Sequence, residues 1–507
     1  MKSRHAFSLG RLGKSLSVLF LSMTMISTIG AKTAYLPDDP PSNAHGSSIF
    51  KTIYHPIPHP HFPSFPALEV NVNFWTDIFT LYDHTQGVVH DKGDLERIYT
   101  IIPLDPSQTR ASRKKNRKTM KAAFKRYKAI LADLARGNAQ KTPEHRRVAS
   151  LFPGPTPPGA FKKAAKRIRC QTGLKSRFKK GLIRSGAMLD EFKRIFALHG
   201  LPQDLVYLPC VESLYNPKAH SRSGAKGVWQ FTRYTGKLFM RVDHLVDERK
   251  DPFASAHAAA KLLKLNYDAL GSWPLAITAY NHGLNGMRRA KAQKGDYEGI
   301  FSSYKSRYFG FASRNFYAEF LAARRVAKGA ETYFGKIAPH APTPVNKVIL
   351  TSYLPVRALK KAFKLSHADI QDLNPALDTR IFTGEKYIPR GYALNLPHHI
   401  SQEKVENRLK PHYQSKQRPS KFHRVQKGDT ATAIARANGI SLARLKQANN
   451  LNRRGFIRVG QTLRIPKLPP RLKPKVQPKN RSRVRSGMGT DKDQLTDARP
   501  APPDNES

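Results

Sequence analysis

Apolar positions between Phe161 and about Gly335 recur every three or four residues in six stretches. These are Phe178–Ile183, Met188–His199, Asp204–Leu214, Ser255–Leu270, Pro274–Tyr280 and Phe316–Lys328. Such spacing turns one face of a helix inward, and short turns separate the stretches. Strand-like alternation is scarce. The span 161–335 therefore reads as an all-helical globular domain of a size that one core supports. Ahead of it, Phe74, Trp75, Ile78, Phe79 and Tyr82 mark an aromatic helical stretch. From Arg110 onward Met120, Phe124, Tyr127, Leu131 and Leu134 form a single stripe on a helix otherwise covered with Lys and Arg. Residues 67–160 are accordingly expected to be a basic helical N-terminal region.

The pattern changes in the C-terminal third, where a weak repeat occurs. In Leu365-Ser366 and again in Ile440-Ser441, an apolar–serine pair is followed by an aliphatic residue four after the serine (Ile370, Leu445) and an asparagine eight after it (Asn374, Asn449). Each copy ends in an alternating run closing on Leu396-Pro397 or Ile465-Pro466. The implied unit is two short helices flanked by strands.

The ends read differently. Met1–Lys14 carries Lys2, Arg4, Arg11 and Lys14 without an acid, Ser15–Ile29 is uncharged and mostly apolar, and Gly30-Ala31 supplies small residues. That is the layout of a secretory signal over residues 1–31, which predicts an exported protein. Residues 32–66 are rich in proline and histidine; His55, His59 and His61 have no partnering acids or cysteines, so an extended linker is expected there and no metal site. The tail, 468–507, is basic, then polar and proline-rich, the composition of a disordered segment.

Lys and Arg number 88 against 36 Asp and Glu, a formal net charge of +52. Such an excess calls for a polyanionic partner or surface. The stripe-bearing helix lacks the aromatic platform of a single-strand binder, and export argues against chromosomal DNA, so no nucleic acid is expected. An anionic envelope surface fits better. The two cysteines, Cys170 and Cys210, could pair after export but make no disulfide framework and have no metal-ligand spacing.

The chemistry concentrates around Glu212. Leu205 to Val211 is almost wholly apolar, and Glu212-Ser213 stands at its end. A carboxyl emerging from an apolar helix is desolvated, which raises its pKa and suits it to act as a general acid near neutral pH. A buried glutamate paired with one of the many arginines fits the local pattern equally well. Three further pieces follow in order: Gly227-Val228-Trp229-Gln230, then Ala279-Tyr280-Asn281-His282-Gly283, then Ser313-Arg314-Asn315-Phe316-Tyr317. Trp229 could stack on a sugar face and Gln230 could bond its hydroxyl or acetamido groups; taken singly, Trp229 and Tyr280 also fit plain core aromatics.

In this order the motifs resemble the family-1 lytic transglycosylases of the membrane-bound transglycosylase D type, over about Phe161–Gly335. The Glu-Ser, Gly-x-x-Gln and Ala-Tyr-Asn motifs of that family appear as Glu212-Ser213, Gly227–Gln230 and Ala279–Asn281, and Asp247-Glu-Arg-Lys-Asp251-Pro252 matches a further stretch of that subfamily. The usual Ala-Gly is His282-Gly283 here. Phe422–Lys467 resembles a LysM module, opening with His423-Arg-Val-Gln-Lys-Gly428-Asp429-Thr430 and closing with Val459-Gly460-Gln461-Thr-Leu-Arg-Ile-Pro466. Val345–Leu396 looks like a degenerate relative without the Gly-Asp-Thr opening.

The resemblance implies a mainly α chain, with a lysozyme-like helical catalytic domain (161–335) followed by small α+β (βααβ) LysM-type modules at 345–397 and 422–467. It implies cleavage of peptidoglycan at the β-1,4 bond between N-acetylmuramic acid and N-acetylglucosamine, with 1,6-anhydro ends and Glu212 as the only catalytic acid/base. Ser213 and Gln230 would hold the substrate, Tyr280 would fix the glutamate and Asn281 would bind sugar, with Trp229 and Tyr317 at the cleft. In the LysM module Gly428, Asp429, Thr430, Asn449, Asn450 and Leu451 would contact N-acetylglucosamine; Gly428 and Asp429 also suit a turn and helix cap. Peptidoglycan strands are the implied partner, the periplasm or cell envelope the implied place, and neither cofactor nor metal is expected. Two alternatives remain: a lysozyme-like hydrolase with Asp243, Asp247 or Asp251 as the second carboxylate, and a non-catalytic wall-binding protein.

Overall fold

The computed structural model describes residues 59–419 and 422–466, which fall into two compact units divided after Arg418. The expected signal at 1–31, most of the 32–66 linker and the 468–507 tail lie outside the described residues.

Helix α1 (Pro66–Thr80) starts as physical chemistry favours, with Pro66 in its first turn and Glu69 at the positive end of the helix dipole. It buries Leu68, Val72, Trp75 and Phe79 along one face. Next come β1 (Gln86–Asp91), β2 (Asp94–Pro103), the long basic α2 (Arg110–Leu134) and β3 (Ile168–Thr172). The strands form one antiparallel sheet in the order β2-β1-β3.

The region 67–160, expected to be basic and helical, thus holds two strands beside its helices. Val88 of β1 packs into the main core with α1, while Val89 packs into a smaller core beneath α2 with Tyr127 and Leu131. A strand covered on both faces loses the polar alternation that would reveal it. Nor is α1 a separate piece. It lies along the last long helix of the domain, where Asn315 accepts from Asn71 Nδ2 at 2.8 Å and from Trp75 Nε1 at 3.2 Å, and Arg325 bridges to Glu69 at 2.8 Å.

The main core is helical: α3 (Lys175–Ser185), α4 (Leu189–Leu198), the short α5 (Leu208–Glu212), α6 (Pro252–Leu270), α7 (Trp273–His282) and α8 (Phe311–Lys328). Asp251 caps α6, accepting from Phe253 N at 2.9 Å and Ala254 N at 3.0 Å, and Ala256 with Ala258–Ala260 lets neighbours approach closely. No helix among the described residues is long and apolar enough to cross a membrane.

The two repeat copies have the same build. The first pairs β4 (Val345–Ile349) with β5 (Ala393–Pro397) around α9 (Val356–Phe363) and α10 (His367–Leu373). Asn374 ties its helix end to the strand, donating to Asn395 O at 2.8 Å and accepting from Asn395 N at 2.9 Å. This copy joins the helical domain through Leu245 and Val246, which enter its core, with Asp247 N donating to Ala376 O at 2.8 Å. The second unit pairs β6 (Phe422–Arg424) with β7 (Thr462–Arg464) around α11 (Ala431–Ala437) and α12 (Leu442–Ala448). There Asn449 makes the same clasp, donating to Arg464 O at 2.8 Å and accepting from Arg464 N at 2.5 Å.

Candidate active site

Glu212 is the last residue of α5, and the chain behind it turns through two left-handed residues, Leu214 (φ 52°) and Tyr215 (φ 54°). Non-glycine residues adopt this conformation only where surroundings enforce it. Here Arg184 grips Leu214 O at 2.6 Å, Tyr215 OH donates to Val206 O at 2.5 Å, and Ser213 Oγ donates to Val228 O at 2.7 Å. The last bond ties the Glu212 turn to the Gly227–Gln230 loop.

That loop has its own constraint. Gly227 has φ +77°, and a Cβ placed there would stand 1.8 Å from Arg249 O, so only glycine fits. Arg249 is buried and holds the loop from below, donating to Gly224 O at 3.0 Å and pairing with Asp247 at 2.7 Å.

Glu212 opens into a groove of about 560 Å³. Its walls come from α5, from Ala312, Phe316 and Glu319 of α8, from Asn281 at the end of α7, from β3, and from the Leu104–Gln108 segment with Arg113, Asn116 and Met120 of α2. Burial pushes the Glu212 carboxyl up to about 8. Tyr280 adjoins it: burial and then the Glu212 charge raise its phenol, while its hydroxyl donates to Trp229 O at 2.7 Å. Asn281 lines the groove and accepts from Ser313 Oγ at 3.1 Å, with His282 Nδ1 3.3 Å from the same hydroxyl.

Several expected contacts belong to the interior instead. Trp229 is fully buried between Phe192 and Phe196, with ring centroids at 5.2 and 5.4 Å, so it cannot stack on a sugar. Tyr317 is fully buried too, donating to Pro63 O at 2.9 Å with its edge against Tyr297; the preceding Phe316 faces the groove. Ser213 is fully buried and its hydroxyl proton is committed to Val228 O, so it braces the glutamate turn and does not hold substrate. Gln230, at φ 49°, directs its amide nitrogen to Gly227 O at 2.8 Å.

Asp243, Asp247 and Asp251 are equally spent. Asp243 accepts from Leu245 N and Val246 N, Asp247 pairs with Arg249 and Lys226, and Asp251 caps α6; none lines the groove. The second carboxyl is Glu319, which the sequence reading missed. Burial, reinforced by the charge on Glu212 and opposed by Arg169, raises it to about 8. Its signal was the same as that of Glu212, one acid in the apolar run Phe316-Tyr317-Ala318-Glu319-Phe320-Leu321. Cys170 and Cys210 line the groove as free thiols.

In the second unit, Asp429 accepts from Gln426 N at 2.7 Å and lies 2.7 Å from His423 Nε2, Gly428 has φ +94°, and Thr430 caps α11. Asn449 is an internal clasp, so its side chain is not available to a sugar. Gly428 and Asn450 are exposed and Leu451 half-buried.

Comparison with known proteins matches two parts of this chain. Residues 196–300 match the transglycosylase SLT domain family and residues 423–466 the LysM domain family, so the chain carries a lysozyme-like SLT domain and a C-terminal LysM domain. It is homologous to the membrane-bound lytic murein transglycosylase D of Escherichia coli K12, 26% identical over 275 residues, which take in 52% of this chain and 60% of that protein. The same protein of Escherichia coli O6:H1 matches identically, and a putative tributyltin chloride resistance protein of Alteromonas sp. strain M-1 is 34% identical over 92 residues, 18% of this chain and 44% of that one. The chain thus spans 60% of the length of the first two relatives.

Proposed function

We propose that this chain is a peptidoglycan lytic transglycosylase, exported to the cell envelope and held to glycan strands by its LysM module. The observation that carries the reading is Glu212, a carboxyl kept neutral to about pH 8 by burial alone at the edge of a groove. Neutral, it gives its proton to the bridging oxygen of the β-1,4 bond between N-acetylmuramic acid and N-acetylglucosamine, and the sugar leaves an oxocarbenium-like centre at C1. As a carboxylate it then takes the proton of the muramoyl 6-hydroxyl, whose oxygen bonds to C1 and closes the 1,6-anhydro ring. No water is consumed. The braced turn holds Glu212 in place, Tyr280 ties the neighbouring loop at Trp229 O, and Asn281 and Phe316 meet the sugar.

A second reading follows from Glu319. A second carboxyl in the groove could position a water, as in glycosidases that use a carboxyl pair, and the products would then be reducing ends. Mass spectrometry of digested peptidoglycan separates the two: anhydro ends support the lyase, reducing ends the hydrolase. Glu212→Gln should lower either activity by about 10²–10⁴-fold. Unchanged cleavage by that variant would overturn both readings.

A further inference from the structure

We propose that the groove contains an anion subsite, formed by Arg113, Arg169, Arg177 and Arg222, that takes a carboxylate carried by the muramoyl units of the glycan. The inference rests on the peptidoglycan reading and deepens it.

The four guanidiniums come from four segments of chain: α2, β3, α3 and the loop after Pro217. The sheet and α2 therefore do more than pad the helical domain. They build one wall of its groove, and that wall is cationic.

Charge balance is the argument. Among the described residues lining the groove, the acids are Asp105, Glu212 and Glu319. Burial keeps both glutamates neutral at pH 7. Asp105, held by Ser107 Oγ at 2.6 Å and Ser107 N at 2.9 Å, keeps its negative charge and offsets one guanidinium of the four. Arg113, Arg177 and Arg222 have no ion pair among the described residues, and Arg169 lies over the Phe311 ring at 4.4 Å. With positive charge in excess around one groove, an anionic ligand is favoured there.

The ligand chemistry follows from guanidinium geometry, a planar fork that matches a carboxylate with two parallel hydrogen bonds. N-acetylglucosamine is uncharged. The muramoyl lactyl ether is where the strand carries carboxylate, either bare or through an attached peptide. Burial is the cause that raises Glu212, and an anion docked in the same groove favours its protonated form further. Arg169 does reach Glu319, which places that end of the subsite beside the second carboxyl.

The test uses the full chain and three forms of glycan strand: peptide-bearing, amidase-treated to leave only the lactyl carboxylate, and peptide-bearing strands whose carboxylates have been converted to amides. Arg113→Gln/Arg222→Gln changes two exposed side chains, so its fold should be intact, and Arg177→Gln is assayed beside it. Each should raise KM about tenfold on a carboxylated strand with little change in kcat, since a charged hydrogen bond is worth about that much. On the amidated strand variants and wild type should coincide. An effect on peptide-bearing strands alone assigns the stem peptide as the source, and an equal effect on amidase-treated strands assigns the lactyl group. Equal loss on all three substrates, or none on any, overturns the subsite. If wild type cleaves none of the strands, the transglycosylase reading fails instead.

Discussion

Glu319 on α8 lines the same groove as Glu212 at the end of α5, and burial holds both carboxyls neutral up to about pH 8. Charge on Glu212 raises Glu319, whereas burial is the cause that raises Glu212. Glu212 must be neutral to give up its proton, so kcat/KM should fall as pH rises through about 8. Glu319 stays neutral over the same range, so Glu319→Gln should leave the alkaline limb near pH 8. Paired pH–rate profiles on the same strands check this; a limb displaced to lower pH would show that Glu319 carries charge while Glu212 titrates.

The same burial predicts a stability signature. The folded chain binds the Glu212 proton more tightly than the unfolded chain, about 8 against 4.5, so this contribution to stability is fully present below pH 4.5 and lost as pH rises through about 8. Glu212→Gln keeps the shape and removes the ionisation. It should leave stability unchanged near pH 4 and raise it at pH 9 by about 1–3 kcal/mol, after allowance for the open side of the groove. Urea titrations at the two pH values measure the difference. Equal effects at both would show that the carboxyl is not desolvated.

The helices, the repeat and Glu212 were legible in the sequence because each leaves a local signature: an apolar period, a serine–asparagine spacing, an acid ending an oily run. What was not legible depends on long-range packing. Trp229 and Ser213 sit within motifs, but whether a side chain in a motif touches substrate or braces the loop depends on what covers it, and Phe192, Phe196 and Val228 are supplied from elsewhere. β1 was hidden because two cores cover it. Glu319 stood in plain view, yet nothing local says that α8 brings it to the groove of α5. The Asp247–Asp251 stretch likewise carries acids that its own arginine and helix end consume.

Trp229 makes that distinction measurable. With its ring stacked in the core, Trp229→Ala should cost about 3–5 kcal/mol of stability. Activity per folded molecule should fall only through loosening of the loop that Tyr280 OH and Ser213 Oγ grip at Trp229 and Val228. A sugar-stacking residue would behave in the opposite way, raising KM with the melting temperature unchanged. Melting curves and KM on one preparation decide between them.

The Asn449 clasp provides a test in the second unit. Its side chain bonds Leu445 O and Arg464 O, each at 2.8 Å, and receives Arg464 N, so it joins α12 to β7 in a module with a core of only a few residues. Asn449→Ala leaves these backbone groups to find water and should destabilise the unit by about 2–4 kcal/mol, whereas losing the Thr430 cap should cost about 1 kcal/mol. Hydrogen exchange in β6 and β7 reads the first effect directly. Because the SLT domain lies in the other compact unit, Asn449→Ala should weaken retention on insoluble peptidoglycan while cleavage of short soluble strands continues at the wild-type rate. A matching loss of soluble-strand cleavage would show instead that catalysis depends on the integrity of the LysM module.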